Sequence, residues 1–268
     1  MNLEGHTALV TGASSGIGTE FARQLAAMGA DLVITARRKA RLDELATELE
    51  DEHGVEVRVL AADLSEPAAA SRLFEQTEGN GQTIDVLINN AGFGTQRPFL
   101  DIKWETAEQE MQLNMRSLTE LCWRFGRTMR ERGRGYVLNV SSIGAYQPVP
   151  TFATYAAGKA YVRNFTEALA YELADSGVRV CSLCPGGTAT EFSEVSGQRI
   201  SGWVESFMMP ADRCARIGLR ALFGGRRNVI SGFSNKLSCW LLRFLPRRTM
   251  VWAAARVMAS TAPALPTD

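Results

Sequence analysis

The chain is expected to fold as α/β: one doubly wound parallel sheet of about seven strands, helices on both faces, and a C-terminal helical extension. Three observations lead there. Short apolar runs alternate with amphipathic runs of helical period through most of the sequence. No repeat, low-complexity tract or Pro/Gly/Ser linker divides that alternation. The length of 268 residues, with 46% apolar and 22% charged, suits one globular domain with a sizeable core.

Thr7–Thr11 reads as the first strand, an apolar run that ends in a Gly-rich turn. Residues 17–28 follow as a helix, with Phe21, Leu25 and Met28 on one side and Gly29 as its stop. Residues 31–36 form the second predicted strand and residues 39–52 a charged amphipathic helix. A third strand over 55–61, a helix over 67–78 and a fourth strand over 84–89 continue the pattern. Residues 105–130 read as one long helix, followed by a strand over 136–141. A helix over 151–174 leads to the sixth strand, 178–184. Pro185-Gly186-Gly187 breaks the pattern and opens an irregular stretch to about Met209; a helix over 211–223 and a short strand over 228–231 close the unit. The expected division is therefore 1–232 for the sheet domain and 233–268 for an amphipathic helical extension, packed on the same domain or on a partner.

Composition excludes several classes. The N-terminal residues carry no basic n-region or long apolar stretch, so no signal peptide is indicated, and no run offers the roughly 20 apolar residues of a spanning helix. The five cysteines (Cys122, Cys181, Cys184, Cys214, Cys239) are scattered, and Cys181-Ser182-Leu183-Cys184 has no second pair to complete a zinc site. Reduced core thiols in a cytoplasmic protein are expected, with no metal. The net charge of zero hides a polarity: from Arg213 to Thr267 there are ten Lys/Arg and no Asp or Glu. That segment can meet acidic lipid, an acidic ligand or the protein's own acidic surface. Nothing points to nucleic acid.

Two motifs carry chemistry. Thr11-Gly12-Ala13-Ser14-Ser15-Gly16-Ile17-Gly18 lies between a predicted strand and helix. Gly12 and Gly16 let the backbone approach a pyrophosphate, Gly18 permits close helix–strand packing, and the helix N-terminus presents N–H groups and partial positive charge. This is the pattern of a dinucleotide cradle. The second strand ends in Thr35-Ala36-Arg37-Arg38, where an Asp or Glu would bind a ribose 2′-hydroxyl. Arg37 or Arg38 can instead hold a 2′-phosphate bidentately, with Ser14 adding a hydroxyl, so NADP(H) is expected rather than NAD. The other motif is Tyr155-Ala156-Ala157-Gly158-Lys159, thirteen residues after Ser142. Tyrosine and lysine four apart share a helix face, where the ammonium can lower the phenol toward the working range.

Over residues 5–232 the sequence resembles the short-chain dehydrogenase/reductase family. The resemblance rests on residues 11–18, Asp63 after the third strand, Asn89-Asn90-Ala91-Gly92, Asn114, Ser142, the Tyr155/Lys159 pair, and Pro185-Gly186 followed by Thr188 and Thr190. It implies a single-domain Rossmann fold holding cofactor and catalytic sites together. It implies that Asp63 binds near the adenine, that Asn90 braces the sheet, and that Thr188 or Thr190 meets the nicotinamide carboxamide. Gly12, Ser14, Ser15, Gly16, Ile17, Gly18, Arg37, Arg38, Asp63, Asn90, Ala91, Gly92, Tyr155, Lys159, Pro185, Gly186, Thr188 and Thr190 then form the cofactor set. It further implies a catalytic set of Asn114, Ser142, Tyr155 and Lys159. Tyr155 donates a proton to a carbonyl oxygen that Ser142 also bonds, Lys159 tunes Tyr155 and grips the ribose, and Asn114 holds a relaying water. A dimer through the two long helices is the family expectation.

The extension departs from many family members. Leu237, Trp240, Leu241, Phe244 and Leu245 recur at helical spacing, flanked by Lys236 and Arg243, with Pro246 as a stop and 250–258 as a further short helix. Packing over the cleft or a partner is the first expectation; peripheral membrane contact is the second. Phe192, Val195, Ile200, Trp203, Phe207, Met208 and Met209, with Phe93 and Tyr146, suggest an apolar substrate. A lipophilic ketone or aldehyde, a steroid-like alcohol and a 3-oxoacyl thioester all stay open, as does a non-catalytic NADP(H)-binding protein.

Overall fold

The computed structural model describes residues 1–198 and 208–259. Its main sheet has seven parallel strands in the order β3-β2-β1-β4-β5-β6-β9. In chain order the strands are β1 Thr7–Thr11, β2 Asp31–Thr35, β3 Val57–Val59, β4 Val86–Asn89, β5 Gly135–Val140, β6 Val178–Cys184 and, after two short strands described below, β9 Asn228–Ile230. The helices α1 Gly16–Ala26, α2 Lys39–His53, α3 Ala69–Gln76, α4 Trp104–Met111, α5 Leu118–Arg132 and α6 Ala153–Glu172 connect them. Alternation along the strands supplies both faces. Ala8, Val10, Leu32, Ile34, Val86 and Ile88 join Phe21, Leu25, Leu42 and Leu49 in one apolar layer. Leu9, Val33 and Leu87 point the other way, to Leu73, Leu121, Phe125 and Val162. Each buried Leu or Phe removed from water contributes about 1.5–3 kcal/mol before entropy is counted.

Sheet order places a switch point between β1, whose chain continues outward to β2, and β4, which runs the other way. Parallel strands leave a crevice there at their C-terminal ends, the place where such sheets bind ligands. The long predicted helix is continuous from α4 to α5, but Gln112–Ser117 forms a π-helical turn within it. The predicted third strand contracts to three residues at the sheet edge.

The stretch predicted as irregular contains β7 (Thr188–Ala189), α7 (Phe192–Ser196) and β8 (Met209–Pro210); β7 and β8 pair in parallel. Ile200, Trp203 and Phe207 lie outside the described residues. Helix α8 (Ala211–Phe223) packs on α1.

Beyond β9 come α9 (Phe233–Leu241), a 3₁₀ turn (Leu242–Phe244) and α10 (Arg247–Ala259). The extension folds back on the domain: Asn235 donates to Ser231 O at 2.8 Å, Cys239, Met250 and Ala254 are buried, and Gln96 Nε2 donates to Met258 O at 3.1 Å. The apolar stripe does not pack on its own domain, Trp240 being 51% and Phe244 68% exposed in the single chain. The reason is rotational: α9 turns Cys239 and Asn235 toward the domain, which sets the opposite face outward. All five cysteines are buried free thiols. Among the described residues no helix is long and apolar enough to cross a membrane, and no acidic, histidine or cysteine cluster could hold a metal.

Candidate active site

The Gly-rich turn joins β1 to α1 at the switch point. Gly12 adopts φ +68°, the left-handed region that favours glycine, and its N–H donates to Thr35 O at 2.8 Å. A methyl group on Gly18 would strike the Gly12 carbonyl, so the helix can begin this close to the strand only with glycine there. Ser15 caps α1 without a side-chain bond to the helix, leaving the first-turn N–H groups without a side-chain acceptor from it. Asn90 Nδ2 donates to Thr11 O (2.9 Å) and Gly12 O (3.2 Å), while the Asn90 and Ala91 N–H groups both reach Thr11 Oγ1 at 3.0 Å. The turn is thus braced from β4, and Ile17 packs partly buried against the core. A pyrophosphate fits a turn built like this: close backbone, a helix N-terminus and flanking hydroxyls.

The arginines divide their work. Arg38 Nη2 donates to Ser15 Oγ at 2.8 Å and to Ser14 Oγ at 3.2 Å, so it lies over the turn. Arg37 is exposed and stands 4.0 Å from Asp63, whose carboxylate also accepts from Ser65 N–H at 2.9 Å. Glu191, just before α7, pairs with Arg38 at 2.7 Å and with Arg41. The Arg41 and Arg38 guanidiniums hold its carboxyl below the usual range. Sequence reasoning missed Glu191 and Arg41, because contacts 150 residues apart leave no local signal.

Deeper in the crevice, β5 ends at Ser141 and Ser142. Ser141 Oγ donates to Lys159 O at 2.7 Å and serves to tie α6 to the sheet. Ser142 Oγ accepts from Gly144 N–H at 3.0 Å and lies beside the Tyr155 phenol, where it eases that group's ionisation. Tyr155 packs edge-on to Phe152 and tilted against Phe192, with both centroids at 5.3 Å. Its residue surface is only partly covered, yet the protein around the phenol pushes it up to about 12 by burial. The expected lowering by Lys159 is therefore corrected: the ammonium sits over the ring, 5.7 Å from its centroid, and donates to Val140 O at 2.8 Å. Lys159 is 4% exposed, and burial pulls it down to about 8.

Asn114, in the π turn, donates through Nδ2 to Phe93 O at 2.7 Å and accepts from Phe93 N–H at 3.2 Å. A methyl on Gly92 would stand 2.8 Å from Asn114 Oδ1 and 3.2 Å from Lys159 Nζ, which brings those three residues together. On the far wall, Pro185 O accepts from Ile143 N–H at 2.9 Å, and Gly186 packs against Asn235. Thr188 Oγ1 donates to Gly186 O at 3.1 Å, while the Thr190 methyl lies against Gly16. Contacts thus link Gly12 to Asn90, Gly16 to Thr190, and Gly92 to Asn114 and Lys159, while Arg37 meets Asp63 apart from them.

Comparison with known proteins places the fold in a family. The family model described as short chain dehydrogenase matches residues 6–200. A 7beta-hydroxysteroid dehydrogenase of Clostridium sardiniense is 36% identical, the match covering 69% of this chain and 70% of that one. A very-long-chain 3-oxoacyl-CoA reductase of Anas platyrhynchos is 33% identical over 72% of this chain and 62% of its own length. The solved short-chain dehydrogenase of Sphingobium yanoikuyae in complex with NADPH superposes with a TM-score of 0.81 at 31% identity, covering 98% and 99% of the two chains. A chain matched so extensively, on a sheet shared almost end to end with an NADPH-bound member, belongs to the short chain dehydrogenase family and is an NAD(P)-dependent oxidoreductase of CH–OH and C=O groups.

Proposed function

We propose that the protein is an NADP(H)-dependent carbonyl reductase or alcohol dehydrogenase for an apolar substrate, with Tyr155, Ser142, Lys159 and Asn114 as its catalytic residues. The observation that carries this reading is the meeting of Ser142, Tyr155 and Lys159 beside the Gly-rich turn. NADPH supplies a hydride when bound. The chain's own task is then the oxygen: Tyr155 gives it a proton, and the Ser142 hydroxyl bonds it as negative charge develops. Lys159, with its ammonium over the Tyr155 ring, would hold the nicotinamide ribose.

Preference for NADP(H) is supported by Arg38 over Ser14 and Ser15 and by the absence of an acid at the end of β2. Phe152 and Phe192 against Tyr155 support an apolar substrate, of steroid-like, ketone, aldehyde or 3-oxoacyl type. We read 1–232 as the catalytic domain and 233–268 as an extension of it, in a cytoplasmic protein. A dimer through α4–α5 and α6 is supported by exposed Trp104, Trp123 and Tyr161 on that face. Peripheral contact with anionic lipid is supported by the exposed α9 stripe beside Lys236, Arg243, Arg247 and Arg248.

NADPH and NADH oxidation across apolar ketones, aldehydes, steroid ketones and 3-oxoacyl-CoA esters tests the reading. NADPH-selective turnover that Tyr155→Phe abolishes, with NADPH binding intact, is expected. Wild-type turnover in Tyr155→Phe refutes the assignment; NADPH binding without turnover on any class returns the non-catalytic alternative.

A further inference from the structure

The segment from β7 into α7 joins the cofactor cradle to the catalytic wall, and Glu191 is the residue at which they meet. Its carboxylate accepts from Arg38 Nη1 at 2.7 Å through Oε2 and from Arg41 Nη1 through Oε1, so each oxygen has its own guanidinium. Arg38 is also the arginine that reaches Ser14 Oγ and Ser15 Oγ of the Gly-rich turn. Arg37 is occupied elsewhere, 4.0 Å from Asp63. On one side of Glu191, Thr190 lies with its methyl against Gly16 and accepts from Phe192 N–H at 3.3 Å. On the other side, Phe192 packs on the Tyr155 ring with centroids 5.3 Å apart. The far end of α7 is held where Gln96 N–H donates to Ser196 O at 2.9 Å, in the loop whose Gly94 lies against the same tyrosine. Helix α7 is therefore fastened to the cradle at its start and to the tyrosine loop at its end.

A carboxylate gripped by guanidiniums has the chemistry of a phosphate monoester in the same place, oxygens accepting from planar N–H forks. The monoester carries about −1.5 to −2 charge near neutrality, against about −1 for the carboxylate. Holding both would set close to three negative charges on two guanidiniums, so the anions exchange rather than share. Exchange is easy here, because Arg38, Arg41 and Glu191 keep 43%, 47% and 35% of their side chains exposed and each such pair is weak.

We propose that Glu191 is a cofactor-specificity residue that doubles as a latch: in the cofactor-free protein it takes the place of a 2′-phosphate on Arg38 and Arg41, and a 2′-phosphate displaces it, releasing the start of α7 and Phe192 from the wall beside Tyr155. This rests on the proposed preference for NADP(H). A nucleotide without the 2′-phosphate leaves α7 fastened. By reciprocity, whatever the latch contributes to holding α7 is lost from the affinity for the phosphate. One side chain thus couples the choice of cofactor to the wall that meets the substrate.

The probes are 2′,5′-ADP, which carries the phosphate without a nicotinamide, and 5′-ADP, which lacks it. Amide hydrogen exchange over residues 191–198 reads the latch, since the Val195, Gly197 and Gln198 N–H groups bond within that segment. In the wild type, 2′,5′-ADP should speed this exchange about 3- to 10-fold and 5′-ADP should leave it unchanged. Glu191→Gln keeps the length of the side chain and removes its charge. Its segment should exchange faster without ligand, and 2′,5′-ADP should add nothing further. In calorimetric titration the variant should bind 2′,5′-ADP roughly 3- to 10-fold tighter than the wild type and 5′-ADP equally. Exchange that slows on adding 2′,5′-ADP to the wild type, or weaker 2′,5′-ADP binding by the variant, overturns the proposal. Equal affinity of the wild type for the two nucleotides strikes the NADP(H) preference and the latch with it. Preferential binding of 2′,5′-ADP with unmoved exchange strikes the latch alone.

Discussion

Replacing Gly94 with alanine should disable the enzyme while leaving it folded. The added methyl would stand 2.7 Å from Tyr155 Cδ2, 2.8 Å from Phe152 Cε1 and 2.9 Å from Tyr155 Cγ. Carbon atoms in ordinary contact keep about 3.5 Å, so something must yield by about 0.7–0.8 Å. The loop resists: Asn114 holds Phe93 at both N–H and O, Gln96 N–H donates to Ser196 O at 2.9 Å, and Arg97 N–H donates to Thr151 O at 2.9 Å. Phe152 is buried, so the Tyr155 ring, with part of its surface open, has the freedom to swing. A catalytic group displaced by about 1 Å costs on the order of 100-fold, so kcat should fall roughly 30- to 100-fold. Overpacking of this size costs about 1–3 kcal/mol, a loss of several degrees in melting temperature for a domain of this size. Steady-state kinetics and thermal melting of Gly94→Ala measure both. A folded variant whose kcat lies within about twofold of the wild type would show that the loop does not position the phenol.

Three other outcomes are expected. Lys159 has a folded pKa of about 8 against an ordinary 10.5, so its burial penalty is fully present below 8 and disappears as pH rises to 10.5. Lys159→Met should therefore stabilise the cofactor-free fold near pH 7, by up to about 3 kcal/mol, with the gain shrinking toward pH 10; an undiminished gain would contradict the assigned penalty. Glu191→Gln frees Arg38 and Arg41 for a 2′-phosphate, so NADPH should bind roughly 3- to 10-fold tighter and NADH unchanged, read by fluorescence titration; weaker NADPH binding would mean that Glu191 instead organises those arginines. Full-length protein, but not a chain ending at Phe233, should sediment with anionic vesicles, and equal sedimentation of the two removes the α9 stripe as a lipid contact.

Local patterns made much of this molecule legible. Apolar period and turn residues located the strands of the main sheet, because the central runs are buried on both faces, while the edge strands β3 and β9 are only partly covered. Gly12 and Gly18 announced the turn because no other residue fits there. What sequence could not show depends on contacts made after folding. Glu110 reads as one more solvent-facing acid in Glu105-Thr106-Ala107-Glu108-Gln109-Glu110, yet the fold buries it. The phenol's rise to about 12 reflects the protein gathered around it, which a four-residue spacing to lysine does not encode. The α9 stripe has the period of a packing face, but period is the same whether a face meets protein or solvent.

The π turn at Gln112–Ser117 makes the long helix behave as two rods joined out of phase. A π turn holds more residues than an α turn, so the segment before it is rotated relative to the segment after it. Glu110 precedes the joint, Asn114 sits within it, and Leu121, Phe125 and Met129 follow it into the core. Each residue of α-helix advances about 100° around the axis, so removing a single residue at the joint would turn the site-facing half by that angle while the core half kept its seat. The aim of the site and the stability of the core are thereby set on separate lengths of one helix. Changes in catalytic geometry can be sampled upstream of Leu118 without repacking the interior around Phe125.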